Sequence, residues 1–258
     1  MGQAPTITTS TTPSTAHPLV RGRDIHKSFR VGDREVAVLH GVNVEVNPGE
    51  LVAIMGQSGS GKSTLLYCLA GLEKPTHGDV IVNDQQLNRL GRSALARMRR
   101  TTMGFVFQQY NLVPTLSAFE NIALPWRLNR RKPDRALISS VMDTMGLADL
   151  ASHLPGTMSG GEQQRVALAR VMAQQPRIIF ADEPTGALDT RTSVVVLDQI
   201  VQLAHSPGQC ALMVTHDPLV ASRCDRVIFM KDGVLDRQLR HPRVESITQA
   251  MNDLLEGR

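Results

Sequence analysis

A glycine-rich string between a short apolar run and a helix-forming segment constrains this chain most. Residues 56–64 read GQSGSGKST and fit the pattern G-x-x-x-x-G-K-[ST]. The apolar run at residues 51–55 predicts a buried strand before the string, and residues 64–70 predict a helix that Gly71 ends. In such an arrangement, backbone N–H groups at a helix N-terminus converge on a phosphate group. The sequence therefore predicts a site for a nucleoside triphosphate.

Individual side chains of this phosphate loop are expected to have different roles in nucleotide binding. Lys62 is placed to reach the terminal phosphates, and the hydroxyl of Ser63 is placed to bind Mg²⁺. We expect the whole string to contribute to nucleotide binding: Gly56, Gln57, Ser58, Gly59, Ser60, Gly61, Lys62, Ser63 and Thr64.

The composition limits the kinds of protein to which this chain can belong. The chain has 258 residues, 41% hydrophobic, which is enough for one large domain or two small ones with a substantial core. Aromatic residues make up 3% and the net charge is +4, so we expect no nucleic-acid partner. The cysteines lack C-x-x-C spacing and are expected to be reduced thiols: Cys68, Cys210 and Cys224.

The sequence also predicts the state of the N-terminal segment and whether the chain crosses a membrane. Residues 1–17 are rich in Thr, Ser and Pro and are expected to form a disordered tail. No window approaches 18 consecutive apolar residues, so we expect no membrane span, and no secretory signal is evident. If the protein works at a membrane, another chain must anchor it.

Hydrophobic periodicity predicts two kinds of sheet. Short β-type alternations suggest an antiparallel sheet flanking the nucleotide site, at residues 31–39, 42–46 and 78–82. Apolar runs alternating with helices indicate a parallel sheet wrapped by helices, with strands at 104–107, 178–181, 211–214 and 227–230. The fold class is therefore α/β.

Several helices are expected. Residues 162–173 and 194–204 predict helices, and residues 116–157 are mostly helical with a basic connection at 127–135. Residues 86–103 are expected to contain a further helix, which carries arginines that we interpret as a solvated face, with partner binding as the alternative: Arg89, Arg92, Arg97, Arg99 and Arg100. Residues 246–255 could form a short amphipathic helix with three apolar side chains inward: Ile247, Met251 and Leu254.

Polar residues follow three of the predicted parallel strands, at the edge where open α/β sheets bind ligands. Asp182 is suited to hold Mg²⁺ through its water shell, and Glu183 to polarise an attacking water as a general base. His216 can hydrogen-bond a γ-phosphate or orient the water. Gln108 can ligate Mg²⁺ through its amide oxygen. Phe29 could stack on a purine, with ordinary packing as the alternative.

A second anion site is predicted at the start of the helix at 162–173. Ser159, Gly160, Gly161 and Glu162 place a Ser-Gly-Gly sequence immediately before that helix. The same residues are typical of a capped helix start. Beside a complete phosphate loop we favour the anion site, which two chains in antiparallel apposition could complete for each other.

In chain order these motifs are GQSGSGKST, the glutamine of VFQQYNLVP, MSGGEQQR, IIFADEPTGALD and VTHD. The series resembles the nucleotide-binding subunit of ATP-binding cassette (ABC) transporters over residues 19–237. It looks most like the branch of lipoprotein-release, macrolide-export and antimicrobial-peptide-export ATPases. The resemblance implies an ABC ATPase domain at 18–237, with an antiparallel β subdomain, an α-helical subdomain at about 109–165, and a C-terminal extension at 238–258.

The resemblance also implies roles for single residues. Residues 56–64 correspond to the Walker A loop, Gln108 to the Q-loop residue and residues 159–163 to the signature. Asp182 corresponds to the Walker B aspartate and Glu183 to the catalytic glutamate. Three further residues match the D-loop aspartate, the switch histidine and the adenine-stacking aromatic: Asp189, His216 and Phe29. The common LSGGQ signature reads MSGGE in this chain, and the phosphate-facing Ser-Gly-Gly is kept.

These implications lead to a predicted function. We expect an ATPase subunit at the cytoplasmic face of a bacterial plasma membrane, dimerising head to tail around two ATP–Mg²⁺ and powering an export permease. The permease would dock in the stretch from Gln108 to Asn121. An ATPase regulating a membrane partner in cell division or wall remodelling is the alternative, and a soluble ABC ATPase acting on nucleic acid is another. Lipoprotein, peptide, macrolide and haem are all compatible cargoes.

Overall fold

The computed structural model describes residues 17–107, 109–186 and 188–256. In chain order its strands are β1 (Val20–Val31), β2 (Arg34–Val46), β3 (Leu51–Gly56), β4 (His77–Val82), β5 (Gln85–Gln86), β6 (Met103–Val106), β7 (Ile178–Asp182), β8 (Cys210–Val214), β9 (Arg226–Lys231) and β10 (Val234–Arg240). Its helices are α1 (Lys62–Leu69), α2 (Arg92–Thr101), α3 (Ala118–Leu128), α4 (Arg135–Thr144), α5 (Gly160–Gln174), α6 (Thr190–Ala204), α7 (Pro218–Ala221) and α8 (Val244–Glu256).

The strands form two sheets. The larger has the order β10-β9-β3-β8-β7-β6, in which β9, β3, β8, β7 and β6 are parallel and β10 is an antiparallel edge strand. The smaller sheet has the order β2-β1-β4-β5 and is antiparallel. The predicted α/β class is therefore confirmed, with an antiparallel sheet beside a mainly parallel one.

Strand β3 lies inside the larger sheet and is buried on both faces. Leu51, Ala53 and Met55 pack into the cluster that receives α3, α5, α6 and α8. Val52 and Ile54 pack into the cluster on the other face, together with α1 and the antiparallel sheet. Strands covered on both faces give continuous apolar runs, which is why their positions could be read from the sequence.

The predicted strand at 31–39 is wrong at its start. Val31 ends β1 and pairs with Arg34 at the start of β2, so a two-residue turn lies between them. Strand β1 begins at Val20, in a stretch for which no strand was predicted. Its pairing register shifts between Gly22 and Ile25, which breaks the alternation that would have marked it as a strand.

The helix predicted within residues 86–103 is present as α2. A 3₁₀ turn at Leu87–Arg89 precedes α2, which begins only at Arg92. Three of the five arginines are exposed as expected, but Arg99 and Arg100 are half-buried. Arg99 donates a hydrogen bond to the carbonyl of Gly71, so the solvated face does not include it.

The C-terminal segment is built into the fold. Strand β10 runs through residues 237 and 238, between which the sequence suggested a domain boundary. In α8, Ile247 and Leu254 are buried and Met251 is partly buried against the same cluster. Of the residues counted as an extension, 238–240 thus belong to the larger sheet, and α8 covers one of its faces.

All three cysteines are free and buried. Burial raises the pKa of the Cys68 thiol to about 11, and the pKa values of Cys210 and Cys224 to about 12. Among the described residues, no helix has both the length and the apolar character needed to cross a bilayer.

Candidate functional site

The phosphate loop joins the end of β3 to the start of α1, as the sequence predicted. Gly56 has φ 149°, and a Cβ there would lie 2.2 Å from the carbonyl oxygen of Met230. Gly61 has φ 94°, and a Cβ there would lie 3.0 Å from the carbonyl oxygen of Val38. Because both positions combine a left-handed φ with close backbone approach, they require glycine.

Lys62 is the first residue of α1 and its ammonium group lies inside the curve of the loop. Its Nζ donates to the carbonyl oxygens of Gly56, at 3.0 Å, and Gln57, at 2.7 Å. Burial lowers the pKa of Lys62, while the carboxylates of Glu183 and Asp182 partly offset that effect. The ammonium group is thus held by neutral carbonyls, at a place where an anionic ligand would be a stronger partner.

Asp182 ends β7 and is buried, with 6% of its surface exposed. Its Oδ1 accepts a hydrogen bond from Oγ of Ser63 at 3.0 Å. Its Oδ2 accepts one from the phenol of Tyr67 at 2.6 Å. Burial, then the hydrogen bond and charge of Asp182, raise the pKa of Tyr67 to about 12, so the phenol stays a donor at neutral pH.

Glu183 follows Asp182 and meets His216 across the end of the sheet. Oε2 of Glu183 lies 2.9 Å from Nδ1 of His216, which follows β8. Glu183 has φ 49°, a left-handed backbone that costs about 1–3 kcal/mol for a non-glycine residue. Its N–H donates to the carbonyl of Val214 at 3.0 Å, which fixes this conformation. The side chain of Glu183 is 17% exposed, while that of His216 is 73% exposed.

These groups lie around one cleft because β3, β8 and β7 are neighbours and end at the same edge. The cleft has a volume of about 510 Å³. Its lining consists of Val38, Ser58, Gly59, Gly61, Lys62, Ser63, Thr64, Asp182, Glu183, Val214 and His216. The lining thus combines an ammonium group, three hydroxyls, two carboxylates and an imidazole with a glycine-rich loop at a helix N-terminus. Such a cleft can bind a triphosphate and deliver water to its terminal phosphorus.

The Ser-Gly-Gly segment lies elsewhere and forms a capping box. Oγ of Ser159 accepts from the N–H of Glu162 at 3.3 Å, and Oε2 of Glu162 accepts from the N–H of Ser159 at 2.7 Å. The backbone N–H of Ser159, and after it the Ser159 hydroxyl, donate to Oε2 of Glu162 and lower the pKa of that carboxyl group. Ser159 is exposed and is not part of the lining of the cleft. The helix-capping interpretation therefore describes its contacts within this chain.

Two further predicted site residues, Asp189 and Phe29, also lie away from the lining. Asp189 is the N-cap of α6, and its Oδ1 accepts from the N–H of Thr192 at 3.0 Å. Phe29 lies on β1 with 37% of its surface exposed, and Nζ of Lys27 is 4.6 Å from its ring centroid. Gln108 lies outside the described residues, so its predicted Mg²⁺ contact stays a prediction.

The structure adds residues that sequence reasoning missed. Tyr67 lies one helical turn after Ser63, and that spacing of four was the available signal. Val38 reaches the cleft from β2. Nε2 of Gln57 donates to the carbonyl of Leu254 at 3.3 Å, which ties the phosphate loop to α8.

Comparison with known proteins gives the family. The model of the ABC transporter family matches residues 39–186. The chain is 43% identical over 214 residues to the uncharacterized ABC transporter ATP-binding protein YvrO of Bacillus subtilis, covering 82% of this chain and 93% of that protein. It is 42% identical to the lipoprotein-releasing system ATP-binding protein LolD of Paramagnetospirillum magneticum, covering 82% and 95%. The macrolide export ATP-binding/permease protein MacB of Brucella melitensis is 44% identical, and the match spans 84% of this chain and 34% of MacB.

Solved structures agree with this assignment. A dimeric structure of the ATP-binding cassette MJ0796 in a post-hydrolysis state, bound to ADP and Pi, is 38% identical and has a TM-score of 0.81. A second dimeric structure of MJ0796 has 38% identity and a TM-score of 0.82. Each covers 86% of this chain and 99% of the MJ0796 chain. The chain therefore belongs to the ABC transporter family, as an ATP-binding and ATP-hydrolysing member.

Proposed function

We propose that the chain is the ATPase subunit of a bacterial export system. Two copies dimerise head to tail around two ATP–Mg²⁺ and drive a separate permease from the cytoplasmic face of the plasma membrane. The similarity to LolD, a lipoprotein-releasing system protein, and to MacB, a macrolide export protein, supports the export role. By analogy with LolD, which matches over 95% of its length, we place the permease on another chain.

The position of Ser159 is the observation that carries this proposal. The residues that line the cleft can contact a triphosphate from one side only. Ser159, at the N-terminus of α5, is exposed and lies outside the cleft. In a head-to-tail dimer the α5 N-terminus of one copy closes the cleft of the other, and each ATP is held by both chains. The two dimeric structures of MJ0796 support such an arrangement.

The chain has suitable oxygen ligands for Mg²⁺. Oγ of Ser63 and Oδ1 of Asp182 lie 3.0 Å apart beside the phosphate loop, and Mg²⁺ prefers such hard oxygen donors. Ser63 would ligate the ion, and Asp182 would hold it through a water molecule, with Gln108 as a further ligand. When bound, Mg²⁺ would supply positive charge to the phosphate oxygens.

The catalytic steps are assigned to three side chains. Glu183 accepts a proton from the attacking water, a contribution of about 10²–10⁴-fold for a placed general base. His216, 2.9 Å from Glu183, orients that carboxylate and the water. Lys62 leaves the carbonyls of Gly56 and Gln57 and stabilises charge on the γ-phosphoryl group.

A groove beside α3 is the proposed docking surface for the permease. It has a volume of about 340 Å³ and includes Asn111, inside the stretch that the sequence suggested for docking. Its apolar residues include Phe105, Phe107 and Leu128, and Leu128 is 54% exposed. Three arginines also line the groove and favour a cytoplasmic segment that carries both apolar and acidic residues: Arg99, Arg100 and Arg170.

Substitution of Glu183 tests the catalytic assignment. We expect Glu183→Gln to trap an ATP-bound dimer with turnover near zero, because the amide keeps the shape of the carboxylate but cannot accept the proton. Light scattering after size exclusion, with and without ATP, measures the dimer. Unchanged turnover would remove Glu183 from the role.

Substitution of Ser159 tests the composite site. Ser159→Arg should abolish hydrolysis while ATP binding to the monomer is kept. Ser117→Arg is the matched control, because Ser117 also begins a capping box, with Glu120 at the start of α3. Loss of a helix cap alone would affect both variants equally. If both retain hydrolysis, the head-to-tail site is wrong.

A further inference from the structure

Three side chains with metal-binding atoms meet on the antiparallel sheet, apart from the cleft. Oδ1 of Asp24 lies 3.0 Å from Nε2 of His26, and Oδ2 of Asp24 lies 3.2 Å from Nδ1 of His77. One ligand atom from each residue falls within 4.8 Å of the others. None of the three residues lines the proposed nucleotide site.

The backbone holds these side chains together. Asp24 and His26 belong to β1, and His77 begins the neighbouring strand β4, where it pairs directly with His26. Asp24 has φ 50° at the bulge in β1, and its N–H donates to Oδ1 of Asn43 at 3.0 Å. A Cβ on Gly78 would lie 2.0 Å from the carbonyl oxygen of Asp24, so only glycine lets the two strands approach this closely.

A second set of contacts fixes the segment before His77. The N–H of Thr76 donates to the carbonyl of His26 at 2.8 Å. Oγ1 of Thr76 accepts from the N–H of Ser28 at 2.9 Å. The strand pairing and these bonds set the spacing of the three side chains, so little reorganisation is needed to present them to an ion.

The distances suit a small ion of the zinc class. With ligand bonds of about 2.0–2.1 Å, neighbouring ligand atoms of a tetrahedral Zn²⁺ site are about 3.3 Å apart. The observed contacts of 3.0 and 3.2 Å, each to a different oxygen of Asp24, are near that value, and one ligand atom from each residue lies within 4.8 Å of the others. Two imidazole nitrogens and one carboxylate favour Zn²⁺, Co²⁺, Ni²⁺ or Cu²⁺ over Mg²⁺, which prefers oxygen.

Exposure leaves room for further ligands. The side chains of Asp24, His26 and His77 are 57%, 42% and 74% exposed. A water molecule can therefore complete the coordination, and the ion can exchange with solvent. Hydrogen bonds between such exposed groups contribute little by themselves.

We propose that Asp24, His26 and His77 form a binding site for a divalent transition metal of the zinc class. The ion clips β1 to β4 in the antiparallel sheet. Because it binds the folded chain, it raises the free energy of unfolding as its concentration exceeds its dissociation constant.

The test uses the full-length, untagged chain after treatment with a chelator, with excess Mg²⁺ and ADP present to occupy the nucleotide cleft. Zn²⁺ is titrated in competition with a chromogenic chelator, and Co²⁺ is titrated by its visible absorption. We expect one tight equivalent of Zn²⁺, tetrahedral Co²⁺ absorption that Zn²⁺ displaces, and a higher melting temperature with Zn²⁺.

Variants separate the site from adventitious binding. His26→Ala and His77→Gln should each weaken Zn²⁺ binding by at least about tenfold, since loss of a direct ligand costs no less than loss of its supporting contacts. His205→Ala is the matched control, because His205 is also 42% exposed and contacts one carboxylate, that of Asp225 at 2.9 Å. Circular dichroism and ADP binding check that each variant is folded.

Two results would overturn the proposal. One is a wild-type chain that takes up no Zn²⁺ or Co²⁺, which would leave the cluster as hydrogen-bonded surface groups. The other is equal Zn²⁺ affinity in the wild type, His26→Ala and His77→Gln, which would place the ion elsewhere.

Discussion

The phenol of Tyr67 and the hydroxyl of Ser63 approach Asp182 from the same helix, and Tyr67 makes the shorter contact, 2.6 Å against 3.0 Å. Each oxygen of the buried carboxylate therefore has its own hydroxyl donor. Since Ser63 is also a proposed Mg²⁺ ligand, Tyr67 is the donor left to fix the orientation of Asp182 when the ion is bound. We regard Tyr67 as a positioning residue.

Tyr67→Phe should raise the Mg²⁺ concentration needed for half-maximal ATPase activity by about tenfold, because a hydrogen bond to a buried charge is worth about 1.5–3 kcal/mol at most. The measurement is ATPase activity as a function of free Mg²⁺. Tyr110→Phe, which removes the other tyrosine hydroxyl of the chain, should leave this Mg²⁺ requirement unchanged. An unaltered dependence of activity on Mg²⁺ in Tyr67→Phe would show that the hydrogen bond from Tyr67 to Asp182 does not assist Mg²⁺ binding.

Stability should fall in alkaline solution. The pKa of Tyr67 is raised from 10.0 to about 12, and that of Cys210 from 9.0 to about 12. Both groups hold their proton more tightly in the folded chain, so their stabilising contribution is full below the unfolded pKa and is lost as pH rises to the folded one. Urea unfolding between pH 9 and pH 12 should show this loss. The Tyr67→Phe variant should lose less of its free energy of unfolding above pH 10 than the wild type. Identical pH profiles of the two proteins would contradict the contribution assigned to Tyr67.

A buried ion pair joins the ends of β3 and β9. Nε of Arg226 lies 2.7 Å from Oε1 of Glu50, and these side chains are only 9% and 10% exposed. Arg226→Leu leaves the buried carboxylate of Glu50 without its cationic partner and should lower the free energy of unfolding by about 3–5 kcal/mol. Urea denaturation measures the change.

The matched control for this pair is on the surface. Arg223 pairs with Asp198 at 2.7 Å, with side chains 47% and 49% exposed. Arg223→Leu should change stability by no more than about 1 kcal/mol. Equal losses in Arg223→Leu and Arg226→Leu would mean that burial does not set the energy of these pairs.

Leu128 tests the proposed docking groove. Leu128→Asp places a charge on its exposed apolar surface and should abolish stimulation of the ATPase by a co-reconstituted permease, while basal activity is kept. Val234→Asp makes the same change at a residue that is 41% exposed and lies outside the groove. Stimulation is expected to survive there. A permease that still stimulates Leu128→Asp docks elsewhere.

Much of the nucleotide cleft could be predicted because its residues are attached to strong local patterns. The phosphate loop is continuous in sequence, and Asp182 and Glu183 directly follow the continuous apolar run of β7. Parallel strands end at a common edge, so a polar residue after each run was enough to predict that they converge.

Contacts between segments that are distant in the sequence were harder to predict. Tyr67 and Asp182 are 115 positions apart. The spacing of four from Ser63 places the phenol on the Ser63 side of α1, but nothing in the sequence pairs it with that carboxylate. Asp24 sits at a bulge that interrupts the alternation of β1, so neither the strand nor its meeting with His77 could be predicted. Both contacts depend on which segments the fold brings together, and no local sequence pattern records that.

The segment at Ser159 shows a different limit. A serine before a helix and an acidic residue three positions later predict a cap equally well whether or not an anion binds there. The contacts within the chain match the cap, and Ser117 has the same box at α3. What distinguishes Ser159 is its place relative to the cleft, which depends on the whole fold.

The bond from Gln57 to the carbonyl of Leu254 makes the last helix a convenient reporter of the loop. Leu255, the next residue, is 64% exposed, whereas the three native cysteines are buried. A fluorescent maleimide coupled to Leu255→Cys would thus label a single position. Its emission would follow the loading and emptying of the cleft in real time, without any dye touching the nucleotide.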